Sequence, residues 1–246
     1  IYIDTKQKKT VKKVLYTNKG DKLYWEKGDL HTQYGMVKEK DIKQGKIKTH
    51  IGTNLKVLDA DFLDKLEKVK RGPAFMVPKD IGLILTNTSI NKNSNVLDAG
   101  TGSGILSAYL SRFVKRVYSY ERNPEFLKLA EENFKKLGIK NVELKNGDVY
   151  EDIKENDLDL ITLDLLEPWN ALKNARRALR SGGYLAVYTP NVSQVSRFVK
   201  ELDKNSFIFI KTIEVIEREW VVDDLRIRPK NRMLGHTGFL TFVRKI

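Results

Sequence analysis

The sequence predicts an α/β fold: a seven-stranded, mostly parallel sheet wound with helices, behind a small β-rich module. Three observations carry this. From Pro78 onward, apolar runs of strand length alternate with stretches of helical period, the pattern of a parallel sheet with right-handed crossovers. The glycine-rich turn Asp98-Ala99-Gly100-Thr101-Gly102-Ser103-Gly104 follows an apolar run and opens a helical one. Residues before Arg71-Gly72-Pro73 show only short β segments punctuated by glycine.

Those early segments are Val11–Tyr16, Lys22–Trp25, Tyr34–Val37, Lys46–Thr49 and Asn54–Leu58, separated by Gly20-Asp21, Gly28-Asp29 and Gly45. They predict a small barrel or sandwich. Phe62, Leu63, Leu66 and Val69 follow at helical spacing, with Asp59 or Asp61 placed to cap. The break at Arg71-Gly72-Pro73 sets the expected boundary: a basic β-rich domain with its linking helix over 1–70, and a second domain over 71–246. In the latter, helices are expected over Asp80–Thr88, Gly104–Val114, Pro124–Leu137, Pro168–Leu179 and Val192–Asp203. Gly138 is the C-terminal stop of the third. Strands are expected over Asn95–Ala99, Arg116–Glu121, Asn141–Lys145, Leu158–Asp164 and Gly183–Thr189. Phe207–Val222 and Gly238–Arg244 close the chain with no helix between them, so the final strand is expected to run antiparallel.

Composition narrows the chemistry. The 246 residues are 41% hydrophobic, enough for a large α/β core and an accessory module. No apolar run reaches the roughly 18 residues of a membrane span, and no basic head precedes an apolar stretch as in a secretory signal. An initiator Met is absent, which leaves residues upstream of Ile1 open. With no cysteine, disulfides, thiolate metal sites and methyl transfer through a cysteine adduct are excluded. His31, His50 and His236 lack metal-ligand spacing. A metal-free cytoplasmic enzyme fits best. The net charge of +13 points to a polyanionic partner or to a lysine-rich solvated surface. Its distribution favours the former: residues 1–57 hold fourteen Lys against six acids, and Arg226, Arg228, Lys230 and Arg232 form a second cluster.

Glycines in the 98–104 turn let the backbone bend tightly and approach a ligand, and the helix it opens presents free N–H groups to an anion. Many nucleotide-binding folds share such a turn; the acids beyond it sharpen the reading. Glu121 ends the second strand of the large domain, where a carboxylate can take both ribose hydroxyls. Asp148, in Asn146-Gly147-Asp148 after the third, can accept from an adenine amino group. Taken singly, Glu121 reads as a solvated strand end and Asp148 as a turn residue. In this order and spacing they point to S-adenosyl-L-methionine. Two final strands without a helix then separate a class I, Rossmann-like methyltransferase from a nicotinamide dehydrogenase. The fourth strand ends in Asp164-Leu165-Leu166-Glu167-Pro168-Trp169, where a carboxylate faces the ligand crevice.

Four segments now carry a resemblance: Arg71-Gly72-Pro73 with Pro78-Lys79-Asp80; Asp98–Gly104; Asp164–Trp169 with Tyr188-Thr189-Pro190 and Gln194; and Gly235-His236-Thr237-Gly238-Phe239-Leu240 with Arg244-Lys245. The chain resembles the tRNA adenine-N1 methyltransferases of the T-loop, most closely the archaeal branch. The resemblance implies that Gly100, Gly102, Ser103, Gly104, Ile105 and Leu106 line the methionine end of the cofactor, that Glu121 holds its ribose and Asp148 its adenine, and that Asp164 is the catalytic carboxylate. It also implies a homotetramer that binds tRNA across subunits, with position 58 as target and position 57 as a second. Leu166 stands where the family has Pro, Ala74 where it has Gln, and Val77 where it has His or Tyr.

Adenine N1 carries a lone pair, so the reaction needs stabilisation of a cationic product rather than strong deprotonation; Asp164 is the candidate. The N1 edge is hidden in paired or stacked RNA and must be extruded into the pocket. Trp169, Tyr188 and His236 are candidate pocket walls, with helix capping, sheet packing and turn ordering as the plainer alternatives. Arg226, Arg228 and Arg232 are candidate phosphate contacts, with a solvated loop as the alternative. Lys-rich residues 6–13 read as a solvated arm. Two rival functions remain open: a protein methyltransferase of the isoaspartyl type, and a non-catalytic tRNA-binding subunit, which would be expected to lose Asp164 or Glu121. A DNA adenine-N6 enzyme would want an Asp-Pro-Pro-Tyr-like loop and is disfavoured.

Overall fold

The computed structural model describes residues 10–72, 75–223 and 225–246; Ala74 and the start of the 6–13 arm lie outside them. The chain divides into two compact units, one ending at Lys70 and including Lys135–Gly138, the other formed by the rest.

In the first unit, β1 (Lys13–Thr17), β2 (Lys22–Trp25), β5 (Gly45–Lys48) and β6 (Asn54–Asp59) make an antiparallel sheet of order β2-β1-β6-β5. A separate hairpin pairs β3 (Leu30–Thr32) with β4 (Gly35–Val37). The expected barrel or sandwich is thus an open sheet with a hairpin, since β2 and β5 are its edges. Alternation in β6 buries Leu55 and Val57 and leaves Lys56 outside, the period of a one-faced sheet. These two pack with Leu15, Trp25, Val37 and Ile42. Helix α1 (Phe62–Leu66) starts at Asp61, whose carboxylate accepts from Asp64 N at 3.0 Å while Asp64 answers on Asp61 N.

The second unit opens with α2 (Pro78–Asn87), then β7 (Asn95–Ala99), α3 (Ile105–Leu110), β8 (Arg116–Glu121), α4 (Pro124–Leu137) and β9 (Val142–Asn146). It continues with β10 (Leu158–Asp164), a 3-10 turn at Pro168–Ala171 running into α5 (Leu172–Ala178), β11 (Leu179–Thr189), α6 (Val192–Lys200) and β12 (Phe207–Ile213). The hairpin of β13 (Trp220–Asp223) and β14 (Arg226–Pro229) precedes β15 (Phe239–Lys245). Seven strands form one sheet of order β12-β15-β11-β10-β7-β8-β9. Only β15 runs against its neighbours, as expected from the missing helix. The central strands are buried on both faces, with Leu97, Leu160, Ile161, Leu163, Leu185 and Val187 at 1% exposure or less, so their sequence reads as continuous apolar runs.

Two boundaries differ instructively. Helix α3 stops at Leu110, short of Val114, and the next residue, Ser111, turns its hydroxyl back to the Ala108 carbonyl at 2.8 Å. The expected strand to Val222 ends at Ile213, because the acid-bearing stretch from Glu214 to Glu219 leaves the sheet and 220–229 pair with themselves. The Arg226 cluster therefore sits on a β-hairpin and the turn after it.

Chain direction reverses beside β7. Strands β8 and β9 extend the sheet on one side of it, β10 and β11 on the other. Such a switch point leaves a crevice at the carboxyl ends of the strands.

Candidate active site

The crevice collects the ends of four parallel strands. Asp98 is on β7, Glu121 ends β8, Asp148 follows β9 and Asp164 ends β10. They have different electrostatic fates. Asp98 is 1% exposed, and both its oxygens are taken, by the hydroxyls of Ser107 at 2.6 Å and Thr162 at 2.8 Å. Burial pushes its carboxyl up to about 6 against the pull of these hydroxyls. It is a brace between β7, α3 and β10. Glu121 accepts from Gly102 N at 3.0 Å and Asn123 N at 2.8 Å, one on each oxygen. Each oxygen keeps a second acceptor direction, enough for a vicinal diol. Asp148 accepts from Tyr150 N at 2.9 Å and pairs with the exposed Arg122 at 3.1 Å.

Asp164 is the exception. Among the described residues its carboxyl accepts no hydrogen bond. It is recessed in the crevice wall with part of its surface open, and burial, then the charge of Asp98, push its pKa up to about 7. A carboxyl without a partner in such a place is completed by an N–H donor or a cation.

A cavity of about 270 Å³ joins these groups, walled by Gly100, Gly102, Glu121, Asp148, Asp164 and Gly72 among others. Leu166, noted from sequence as a departure from the family pattern, also lines it, as do Tyr120, Arg122, Phe126, Gly147, Val149, Tyr150 and Leu165, to which the sequence reading gives no role. Most directly precede or follow the acids or complete their turns, which is the available signal. At Gly100, φ is +87° and an added Cβ would lie 2.2 Å from the Asp164 carbonyl oxygen. The glycine turn thus touches the end of β10 itself. Ser103, Gly104, Ile105 and Leu106 stand behind this wall. Ile105 and Leu106 are buried, a Cβ on Gly104 would meet the Phe134 ring at 2.6 Å, and the Ser103 carbonyl accepts from Asn133 at 2.9 Å. The Ser103 hydroxyl is buried without a partner.

The acceptor-side residues are less uniform. Tyr188, on β11, is the register neighbour of Asp164. Burial, together with the charges of Asp80 and Asp164, pushes its phenol up to about 12. Trp169 stacks under the Arg197 guanidinium at 4.0 Å, with its indole N–H buried and unpartnered. The His236 ring spans Glu214 at 2.5 Å and the Pro190 carbonyl at 2.8 Å; the Glu214 contact raises its pKa. It orders a turn rather than facing the cavity. Arg226 is held by Asp223 at 2.7 Å and Arg228 by Asn231 at 2.7 Å, while Arg232 is exposed. Of the three departures from the family pattern, Leu166 is 77% exposed at the cavity rim, and its carbonyl accepts from Gln194 at 2.8 Å. Val77 precedes α2 and supplies no side-chain cap. No cluster of metal-ligating side chains occurs, and no helix is long and apolar enough to cross a membrane, among the described residues.

Raised acid pKa values have a stability signature. An acid that titrates higher in the folded than in the unfolded state costs stability as pH rises between the two values, here from about 4 to about 7 for Asp164. Asp164→Asn removes that cost. Its stability should exceed that of the parent at pH 8, by up to about 4 kcal/mol, and the gap should close toward pH 4. Thermal melts across pH check this; a gap independent of pH would show that Asp164 is ionised without penalty.

Comparison with known proteins agrees with this geometry. The tRNA methyltransferase complex GCD14 subunit family matches residues 73–231. The chain is 36% identical to the tRNA (adenine(57)-N(1)/adenine(58)-N(1))-methyltransferase TrmI of Methanocaldococcus jannaschii, over 87% of this chain and 86% of that protein. Among solved structures, it is similar to the tRNA (m1A58) methyltransferase TrmI of Aquifex aeolicus, with a TM-score of 0.82 and 26% identity over 97% of this chain and 98% of that one. It is also similar to a SAM-dependent O-methyltransferase of Thermotoga maritima, with a TM-score of 0.87 and 30% identity over 97% and 94%.

Proposed function

Because the chain belongs to the GCD14/TrmI family of tRNA adenine-N1 methyltransferases, we propose that it methylates N1 of a T-loop adenine in tRNA, at position 58 and at position 57 as well, using S-adenosylmethionine. The observation that carries this reading is the partnerless Asp164 carboxyl beside Glu121 and Asp148 in one crevice.

The cavity suits the cofactor. Glycine backbone at 100 and 102 admits close approach, Glu121 offers two oxygens to a diol, Asp148 lies beside Tyr150 and Val149 for a flat base, and the Ser103 hydroxyl lacks a partner. When bound, S-adenosylmethionine supplies an electrophilic methyl group that the lone pair of adenine N1 can take without first losing a proton. Asp164 accepts from the adenine N6 amino group and, as carboxylate, balances the positive charge that develops on the ring. Tyr188, its neighbour on the next strand, walls the base.

Binding of tRNA falls to the basic clusters. Lys38, Lys40 and Lys48 line a concavity of the first unit with His50, and Arg228 and Arg232 extend the charge on the hairpin segment. That hairpin also exposes Trp220, Val222, Leu225 and Ile227, with Leu225 at 95%, and the edge strand β12 exposes Ile208, Phe209 and Ile210. Apolar surface of this kind on an edge and a hairpin is covered by association. A second copy of the chain in a cytoplasmic homotetramer is the occupant we infer.

Three outcomes follow. Glu121→Ala loses two charge-assisted hydrogen bonds to the ribose, so affinity for S-adenosylhomocysteine measured by calorimetry should fall at least about tenfold. With a tRNA transcript and labelled cofactor, Asp164→Asn should lower turnover by on the order of 10²–10³ while tRNA binding survives. The wild-type kcat/KM should rise through a pKa near 7, the value of Asp164 in the free protein, and the variant should lose that limb. Nucleosides digested near neutral pH identify the product; exclusive N6-methyladenosine, or no transfer to tRNA, would overturn the assignment. Finally, V222E/I227E should dissociate the assembly in analytical ultracentrifugation; an unchanged sedimentation coefficient would remove the hairpin from the interface.

A further inference from the structure

Lys79 and Asp80 come from one of the segments that carry the family resemblance and Thr237 from another; all three lie outside the cavity lining, and the structure brings them together. Lys79 and Asp80 stand in the first turn of α2, while Thr237 precedes β15. Their polar atoms close a triangle. The Lys79 ammonium donates to Asp80 Oδ1 and to Thr237 Oγ1, each at 2.7 Å, and the Thr237 hydroxyl donates to Asp80 Oδ2 at 2.7 Å. The residues on either side of Thr237 grip the end of β11. His236 lies 2.8 Å from the Pro190 carbonyl, and Gly238 is so close to Tyr188 that a Cβ would sit 2.4 Å from its ring. Tyr188 thus packs against the residue that follows Thr237, and its backbone is in register with Asp164.

This arrangement is an expensive way to hold a helix. Side chains of Lys79 and Asp80 are 9% and 2% exposed, and an ion pair so enclosed contributes little net stability against its desolvation. Its geometry is instead restrictive. The single Thr237 proton is committed to Asp80 and its oxygen accepts from Lys79, so the segment that packs on the Tyr188 ring through Gly238 is held in one place. We propose that Lys79, Asp80 and Thr237 are positioning residues, a clasp that fixes Tyr188 beside Asp164 and so sets where the acceptor base lies relative to the catalytic carboxylate. The clasp acts on the acceptor, not on the cofactor: none of its three members lines the cavity that holds Glu121 and Asp148. The proposal rests on the reading of this site as a tRNA adenine methyltransferase.

The test uses the full chain and a T-loop tRNA transcript. Turnover and KM for tRNA are measured for wild type, T237V, T237S and K79M/D80L, with S-adenosylhomocysteine affinity by calorimetry and melting temperature. T237V keeps the shape and removes the hydroxyl; its kcat should drop at least about tenfold with cofactor affinity within about threefold of wild type. T237S restores the hydroxyl and should recover to within about threefold. K79M/D80L replaces the buried pair with apolar side chains and should melt no lower than wild type while losing turnover like T237V. Wild-type kcat in T237V or in a folded K79M/D80L would overturn the clasp. So would a loss of cofactor affinity matching the loss of kcat, or a T237S as slow as T237V. If K79M/D80L fails to fold, the Thr237 pair decides. Absence of N1-methyladenosine with the wild-type protein would instead overturn the functional reading itself.

Discussion

The contact between Gly100 and the Asp164 carbonyl governs the architecture of the site. Only a residue without a Cβ lets the turn after β7 lie against the end of β10, since a Cβ there would be 2.2 Å from that oxygen. Because the two strands are neighbours at the point where chain direction reverses, this one approach places the glycine turn and the Asp164 carboxyl on a common wall. Gly102, two residues on, donates to Glu121, so that acid inherits its position from the same turn. A side chain at residue 100 would separate three groups at once.

Around that contact the protein distributes polar satisfaction unevenly. Asp98 is buried deepest and is saturated by hydroxyls; Glu121 is half-saturated by backbone N–H groups; Asp164 accepts no hydrogen bond among the described residues. Asp98 lies outside the cavity lining, whereas Glu121 and Asp164 line it. The acid behind the wall is completed internally, and those on it keep acceptor capacity. The raised pKa of Asp164 is the expected consequence of holding a carboxyl there with no counter-charge.

Much of this was legible in the sequence because the relevant signals are local. Strands β7, β8 and β10 have the expected bounds, since each carries mostly buried residues up to an acid at or next to its end, and those acids mark the crevice. Asp61 was one of two candidates for the α1 cap, and the capping box selects it. What sequence concealed is non-local. Val221 and Val222 offer an example of the wrong kind of continuity: these β-branched residues continue the strand pattern of β12, yet they pair with Arg228 and Ile227 in a hairpin of their own. Likewise, nothing near Lys79 announces that its partner is Thr237, nor near Leu166 that Gln194 holds its carbonyl. Nor does anything local announce that α4 braces the glycine turn from behind, where Asn133 donates to the Ser103 carbonyl and the Phe134 ring lies against Gly104.

The placement of β15 carries a consequence for synthesis. It lies between β11 and β12, both of which precede it in the chain, and it is the only strand that joins them. Until residues 239–245 have emerged from the ribosome, β11 presents an open hydrogen-bonding edge, β12 has no place in the sheet, and Phe242 is missing from the interior. The glycine turn, Glu121 and Asp164 belong to segments made earlier, so a nascent chain can assemble the β7–β10 half of the sheet first. The other half closes last, by insertion of a strand into a gap already waiting for it.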